Sequence, residues 1–256
     1  IDVFPDLQVW NTGLYDWVLV GGAKPIGVPA DKMLGLFEQL PVVRDFARAG
    51  VLSLPEVLAC MVCDSEGLKP WLERADSEAG WQTLWRAPAA AFGDGEVLLQ
   101  PVSLEECRQR KMAWLSQGKM DEDVYLAIRD KSDQYKAART AAATAISENA
   151  RGHSDAALAA ARSAAKVNPR DVLLLHLADA LELEGRRRIA IGEYKGALKC
   201  YENLLSFSPG AARGHYGLGY CLRAGGENEN AYLHFARAVA MAPEQTGYRM
   251  ELAQVA

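Results

Sequence analysis

The residues Ala212–Glu244, ARGHYGLGYCLRAGGENENAYLHFARAVAMAPE, decide how this chain folds. Leu218, Gly219, Leu222, Ala231, Phe235, Ala238 and Pro243 stand at the offsets of two antiparallel helices that touch along a narrow seam. Gly219 and Ala231 are small where the helices meet, Leu222 and Phe235 fill the space beside that contact, and Pro243 stops the second helix. One such pair cannot bury its own apolar face, so it requires neighbours of the same kind.

The neighbours precede it. Pro209 lies 34 residues before Pro243, and Ala197, Tyr201 and Leu204 repeat the pattern of Ala231, Phe235 and Ala238. Pro169 lies 40 residues before Pro209, with Ala157, Ala161 and Ala164 at the same offsets. The six surplus residues of that interval fall at 185–192, GRRRIAIG, which predicts a lengthened helix or loop there. This spacing resembles the tetratricopeptide (TPR) repeat and predicts units at about 138–171, 172–211 and 212–245, with 246–256 as a capping helix.

Composition limits the function classes. With 50% hydrophobic and 24% charged residues, the 256-residue chain has the profile of a globular protein with room for one large or two modest domains. A net charge of -5 argues against nucleic acid as the main partner, since phosphate binding needs a basic face. The one basic run, Arg186–Arg188, is short and reads as a solvated turn. The five cysteines, Cys60, Cys63, Cys107, Cys200 and Cys221, are odd in number and scattered, which suggests buried thiols in a reducing setting. Cys60 and Cys63 coincide with an apolar helix face and have neither a second cysteine pair nor a nearby His, so they do not read as a zinc site. No apolar run has the length of a membrane span. The chain lacks an initiator Met and opens on the strand-like IDVFPDLQVW, so it reads as a piece of a longer protein.

From the N-terminus, Leu7–Asn11 and Trp17–Gly21 predict a β-hairpin with a loop longer than two residues. Asp31 is positioned to cap a helix over 32–39, with Leu34, Phe37 and Leu40 on one apolar stripe. A second short helix opens at Pro41 and runs to Ala49. Ser53 and Glu56 form a capping box that predicts a third helix reaching about Cys63. The stretch 64–101, with Trp71, Trp81 and Trp85, reads as an irregular segment wrapped on the helices. Ser103 and Glu106 suggest another helix to about Gln117, and 121–149 reads as one long helix feeding the repeats.

Phe4-Pro5, Val9-Trp10 and Val18-Leu19-Val20-Gly21-Gly22, followed by the helical LFEQLPVVRDFARAGVLSLPEVLACMV, resemble the tail of a spermidine synthase-like domain over about residues 1–65. The resemblance implies that the hairpin closes the edge of a methyltransferase-like sheet, and it is closest to long bacterial members with membrane helices before the synthase domain and TPRs after it. In that family the catalytic strand is followed by acidic residues that accept the amine proton and hold the polyamine. Here Tyr15-Asp16-Trp17-Val18-Leu19-Val20 imitates the strand, but Gly21, Gly22, Ala23 and Lys24 stand where the carboxylates belong. The Gly-rich nucleoside loop is missing as well. No catalytic residue, cofactor-binding residue or metal ligand is therefore assigned, and no cofactor is expected.

His153, His176, His215 and His234 are isolated in sequence, and Gly217-Leu218-Gly219 belongs to a helix contact rather than a nucleotide loop. What remains is surface. The first helix of the third unit places Arg213, Tyr216, Tyr220 and Arg223 along one stripe of the concave side, where two tyrosines supply flat amphipathic area and two arginines supply anion-pairing donors; the alternative is that these four residues pack against the next helix or cover the end of the array. A chaperone-type carboxylate clamp is not expected, because Ala142 and Ile146 occupy its positions.

The predicted fold is mainly α: a β-hairpin with a helical subdomain over 1–118, then a TPR-type α-α superhelix over 119–256. The predicted function is a non-catalytic scaffold or interaction module from the C-terminal half of a spermidine synthase-like protein. Its expected partner is a peptide, a protein or the parent's own catalytic domain, with no nucleic acid and no membrane span in this piece. The expected location is cytoplasmic, or tethered to the inner membrane through the parent. The alternatives are a sheet-completing or regulatory part of an aminopropyltransferase that makes polyamines, and a self-association module forming homo-oligomers through the hairpin edge and the Trp-rich segment.

Overall fold

A computed structural model describes residues 6–11, 17–24, 26–48, 51–64 and 115–255. The chain is mainly α, with a small N-terminal antiparallel sheet followed by TPR-type helix pairs. It divides into two compact units, Ile1–Leu173 and Leu174–Ala256.

In the first unit, β1 (Asp6–Asn11) and β2 (Trp17–Gly22) form the predicted hairpin, in antiparallel register with Leu7 opposite Gly21 and Val9 opposite Leu19. The other side of β1 pairs with β4 (Met61–Asp64), giving the strand order β2-β1-β4. Between them lie β3 (Val28–Pro29), α1 (Ala30–Leu36), α2 (Leu40–Arg48) and α3 (Leu54–Ala59). A short β5 (Leu115–Ser116) pairs in parallel with β3. Leu7, Val9, Ala30, Leu54, Leu58, Met61 and Leu115 form the core, with Trp10, Met33, Leu34, Phe37, Tyr125 and Ile128 packed against it.

Three local expectations are corrected. Met61–Asp64 is a strand rather than the last turn of a helix, because β1 is central and its second edge needs hydrogen-bond partners. Ser53 makes no side-chain cap bond, while Glu56 reaches back to accept from the Leu52 N–H at 2.8 Å, so half of the capping box operates, one residue early. Helix α1 starts at Ala30, with Pro29 rather than Asp31 at its N-cap, and Leu40 is 69% exposed instead of joining the Leu34–Phe37 stripe. The expected irregular Trp-rich stretch and the helix from Ser103 lie outside the described residues.

The long helix α4 (Glu122–Ala150) is capped by the Asp121 side chain, which accepts from the N–H groups of Asp123 and Val124. Helix α5 (Ser154–Val167) returns along it and buries Ala157, Ala161 and Ala164. Helix α6 (Val172–Ala190) is 19 residues long, so the six surplus residues lengthen a helix. Then follow α7 (Tyr194–Phe207), α8 (Ala212–Ala224), α9 (Asn228–Met241) and α10 (Thr246–Val255). Helices α5, α7 and α9 end at Val167, Phe207 and Met241, two residues before Pro169, Pro209 and Pro243.

The turns inside the pairs repeat to the atom. Gly152, Gly192 and Gly226 have φ of 81°, 80° and 84°, a left-handed conformation that only glycine adopts without strain. After each, the same two bonds close the helix: Gly152 N–H to Asn149 O and His153 N–H to Glu148 O, then the equivalents to Ile189 and Arg188, and to Arg223 and Leu222. A glycine-closed helix end therefore recurs at intervals of 40 and 34 residues, in step with the prolines.

In the second unit, Tyr201 sits where Gly185 and Gly217 leave room for its ring. A Cβ on Gly217 would lie 2.3 Å from the ring, and one on Gly185 would lie 2.7 Å from it. Phe235 fills the same role in the next pair, where a Cβ on Gly219 would meet its ring at 3.0 Å.

Candidate functional site

The four predicted stripe residues all lie on α8, and the structure brings three of them to one cleft. Arg213, Tyr216, Gly217 and Tyr220 line it together with Glu182, Arg186 and Ile189 of α6, Tyr201 of α7 and Tyr248 of α10. The cleft is about 180 Å³. Tyr201 is buried and forms its floor, visible because Gly217 has no side chain to cover the ring. Tyr216 stacks on Tyr248 with ring centroids 4.6 Å apart and 26° between planes, and it also meets Phe235, tilted, at 5.8 Å.

The two arginines, read from the sequence as anion-pairing donors, each meet carboxylates of the protein itself. Arg213 pairs with Asp179 and, at 3.1 Å, with Glu182. Arg223 does not line the cleft; it binds Glu251 and donates to Gln254 Oε1 at 2.8 Å, which fastens α8 to α10. Its guanidinium also lies over the Tyr220 ring, 5.1 Å from the centroid. Both guanidiniums are thus committed to carboxylates of neighbouring helices.

The basic run is also corrected. Arg186–Arg188 form the last turns of α6 rather than a loop, and they pair with Glu182 and Glu184 one helical turn earlier. Arg186 reaches the cleft edge, 2.9 Å from Glu182 Oε1.

Burial pushes the Tyr216 phenol above its ordinary range, with the Glu251 carboxylate adding to the effect, and burial does the same for Tyr248 with help from Glu182. These hydroxyls therefore stay protonated and able to donate at any physiological pH. Among the described residues, no hydrogen bond engages the hydroxyl of Tyr216, Tyr220 or Tyr248, although all three side chains are half-buried.

Sequence reading missed Glu182, Arg186, Tyr201 and Tyr248 as parts of this cleft. Tyr201 was visible as a packing residue, but its contact with Gly217 spans two repeats. Tyr248 lies in the helix read only as a cap. The histidines that look isolated in sequence are not all so in space: His215 Nδ1 lies 3.0 Å from His234 Nδ1, and His215 Nε2 donates to the Pro209 carbonyl at 3.1 Å.

Cys60, Cys200 and Cys221 are buried free thiols. Burial raises all three, Cys221 to about 11, which leaves them protonated and unreactive. Among the described residues, no group of three His, Cys, Asp or Glu side chains is arranged to hold a metal. Among the same residues, no helix is long and apolar enough to cross a membrane.

No protein-family model matches the chain. No curated protein matches it either. Among solved structures, the chain is similar to the crystal structure of MamA protein, at 18% identity over 72% of this chain and 96% of that one, with a TM-score of 0.28. Superposition that loose leaves the helix-pair architecture to rest on this chain's own glycine turns, proline stops and buried seams.

Proposed function

We propose that the chain is a non-catalytic interaction module that holds a peptide segment of a partner protein along the α8 face. The observation that carries this reading is the convergence of Tyr216, Tyr220, Tyr248 and Arg213 on one cleft with three phenol hydroxyls unengaged among the described residues. Its size of about 180 Å³ is below the ~300–1,000 Å³ usual for small-molecule sites, and it suits a segment laid across the surface with one or two side chains inserted. The functional assignment keeps residues 119–256 as the repeat domain and 1–118 as a supporting subdomain. Panning a random peptide library against the whole chain, with counter-selection on the Tyr216→Ala/Tyr220→Ala double variant, tests it. Sequences enriched on the native chain and lost on the variant support the reading, provided helicity is unchanged. Enrichment that ignores the variant refutes it.

A second reading rests on β2. Val18, Leu19 and Val20 are 46%, 62% and 38% exposed, and as consecutive strand residues they present apolar groups on both faces of an edge strand. Strands of that kind belong inside a larger sheet. This favours the hairpin as the sheet-completing edge of a spermidine synthase-like domain, within a parent that transfers aminopropyl groups and is held at a membrane. Calorimetry of the chain with decarboxylated S-adenosylmethionine and putrescine tests the catalytic extension, and heat of binding overturns the non-catalytic reading. If instead the same edge pairs with a second copy, light scattering will show a mass that rises with concentration.

A further inference from the structure

Donors outnumber acceptors in the α8 cleft. Glu182 is the one carboxylate among the described residues that line it, and it serves two guanidiniums: Arg186 at Oε1, 2.9 Å away, and Arg213 at Oε2, 3.1 Å away. Arg213 meets both Glu182 and Asp179 through a single nitrogen, Nη1, so its Nε and Nη2 bind no described residue. Arg186 spends only Nη2, and its side chain is 71% exposed. The hydroxyls of Tyr216, Tyr220 and Tyr248 add three more donors with no described partner. These phenol oxygens and the idle Arg213 nitrogens are not buried, so they stay open to solvent.

The charges of the lining fall short of balance in the same direction. Two guanidiniums against one carboxylate leave a single positive charge. Asp179 is not part of the lining and is 58% exposed, so water and salt screen most of its effect. A guanidinium accepts no hydrogen bond, so the cleft lacks an acceptor that carries one negative charge. A carboxylate is acceptor-only, brings that one charge, and its two oxygens match the paired N–H groups of an arginine. A phosphate ester brings nearly twice the charge beside Glu182 and overshoots the excess.

Resting on the peptide-holding reading above, we propose that the α8 cleft selects an acidic segment of a partner protein. One glutamate or aspartate carboxylate of that segment seats on the idle nitrogens of Arg186 and Arg213, and the tyrosine hydroxyls donate to its remaining oxygens. Glu182 holds the two guanidiniums in place and competes with the incoming carboxylate for them.

Fluorescence polarisation of the full chain tests this with labelled Gly-Ser decapeptides that carry two central glutamates, glutamines, lysines or phosphoserines. Expected is saturable binding of the glutamate peptide in preference to the other three, weakened by raising salt. Arg213→Gln weakens it about tenfold and the more exposed Arg186→Gln about threefold. Glu182→Gln tightens it about threefold, a gain that a merely structural role for Glu182 does not produce. Circular dichroism checks that each variant keeps its helicity, and if Arg213→Gln unfolds, the other two variants decide. Failure of the glutamate peptide to bind overturns the inference, as does preference for any of the other peptides or weaker binding in a folded Glu182→Gln. If the glutamine peptide binds best and Tyr216→Ala/Tyr220→Ala abolishes that binding, the peptide-holding reading stands without the acidic preference. If the glutamate peptide binds the double variant and Arg186→Gln as tightly as the native chain, both fail.

Discussion

His215 and His234 face each other Nδ1 to Nδ1 across α8 and α9 at 3.0 Å, and only one proton fits between them. Because His215 Nε2 donates to the Pro209 carbonyl, neutral His215 has a bare Nδ1 and accepts from Nδ1–H of His234. Burial lowers the pKa of both rings, with Arg237 acting in the same direction and, for His234, His215 as well. Groups whose folded pKa is depressed leave stability intact above the ordinary value near 6.5 and erode it as pH falls below, because the unfolded chain takes up the protons first. Thermal melts should drop by several degrees between neutral and mildly acidic pH. His234→Gln, which keeps a donor for His215, should flatten the dependence; an unchanged slope in that variant would assign the acid sensitivity elsewhere.

The Tyr201 ring occupies space that Gly185 and Gly217 vacate. Gly217→Ala should cost about 1–3 kcal/mol through overpacking, even though alanine favours a helix, and Tyr201→Ala about 3–5 kcal/mol through the cavity left behind. Urea unfolding of both variants measures this. A stabilised Gly217→Ala would mean that the ring is free to move aside.

In the first unit, Asp171 is buried, binds Arg139 at 3.2 Å and accepts from the Leu173 N–H at 2.9 Å. Removing one partner of a buried pair takes a countercharge from the other, and here the Leu173 N–H loses its acceptor as well. Asp171→Ala should therefore destabilise by about 3 kcal/mol, readable as a lower denaturation midpoint. A loss below about 1 kcal/mol would show that Arg139 finds replacement contacts.

Helix α10 contains no buried residue and is held to α8 by the Tyr216–Tyr248 stack and the Arg223–Glu251 pair. Arg223→Ala should speed amide exchange several-fold in α10 while α7 to α9 keep their protection. Uniform acceleration across all four helices would contradict a local tether.

The helix pairs were legible because their constraints are local and steric: small residues at each seam and a proline after each second helix, while the recurring glycine closures at Gly152, Gly192 and Gly226 emerged from the backbone. Ala157, Ala161 and Ala164 gave the weakest pattern, since alanine is common in any helix, yet all three are buried. Less was legible where the partner is distant. Met61–Asp64 carries an apolar pattern that suits helix or strand, and only the open edge of β1 decides between them. The stripe on α8 followed from helical periodicity, but the pairing of Arg213 with Asp179 and of Arg223 with Glu251 spans 34 and 28 residues, beyond any local rule. That is why the carboxylates these two arginines meet within the protein were not legible from the stripe.

All six tryptophans precede residue 115, and Trp10 packs on the core of the first unit, whereas the second unit is rich in tyrosine and has no tryptophan. Indole emission during denaturation therefore tracks Ile1–Leu173, while near-ultraviolet tyrosine signals are dominated by Leu174–Ala256. One unlabelled sample thus carries a separate optical channel for each half of the polypeptide, and whether the halves melt together can be read without cutting or tagging it.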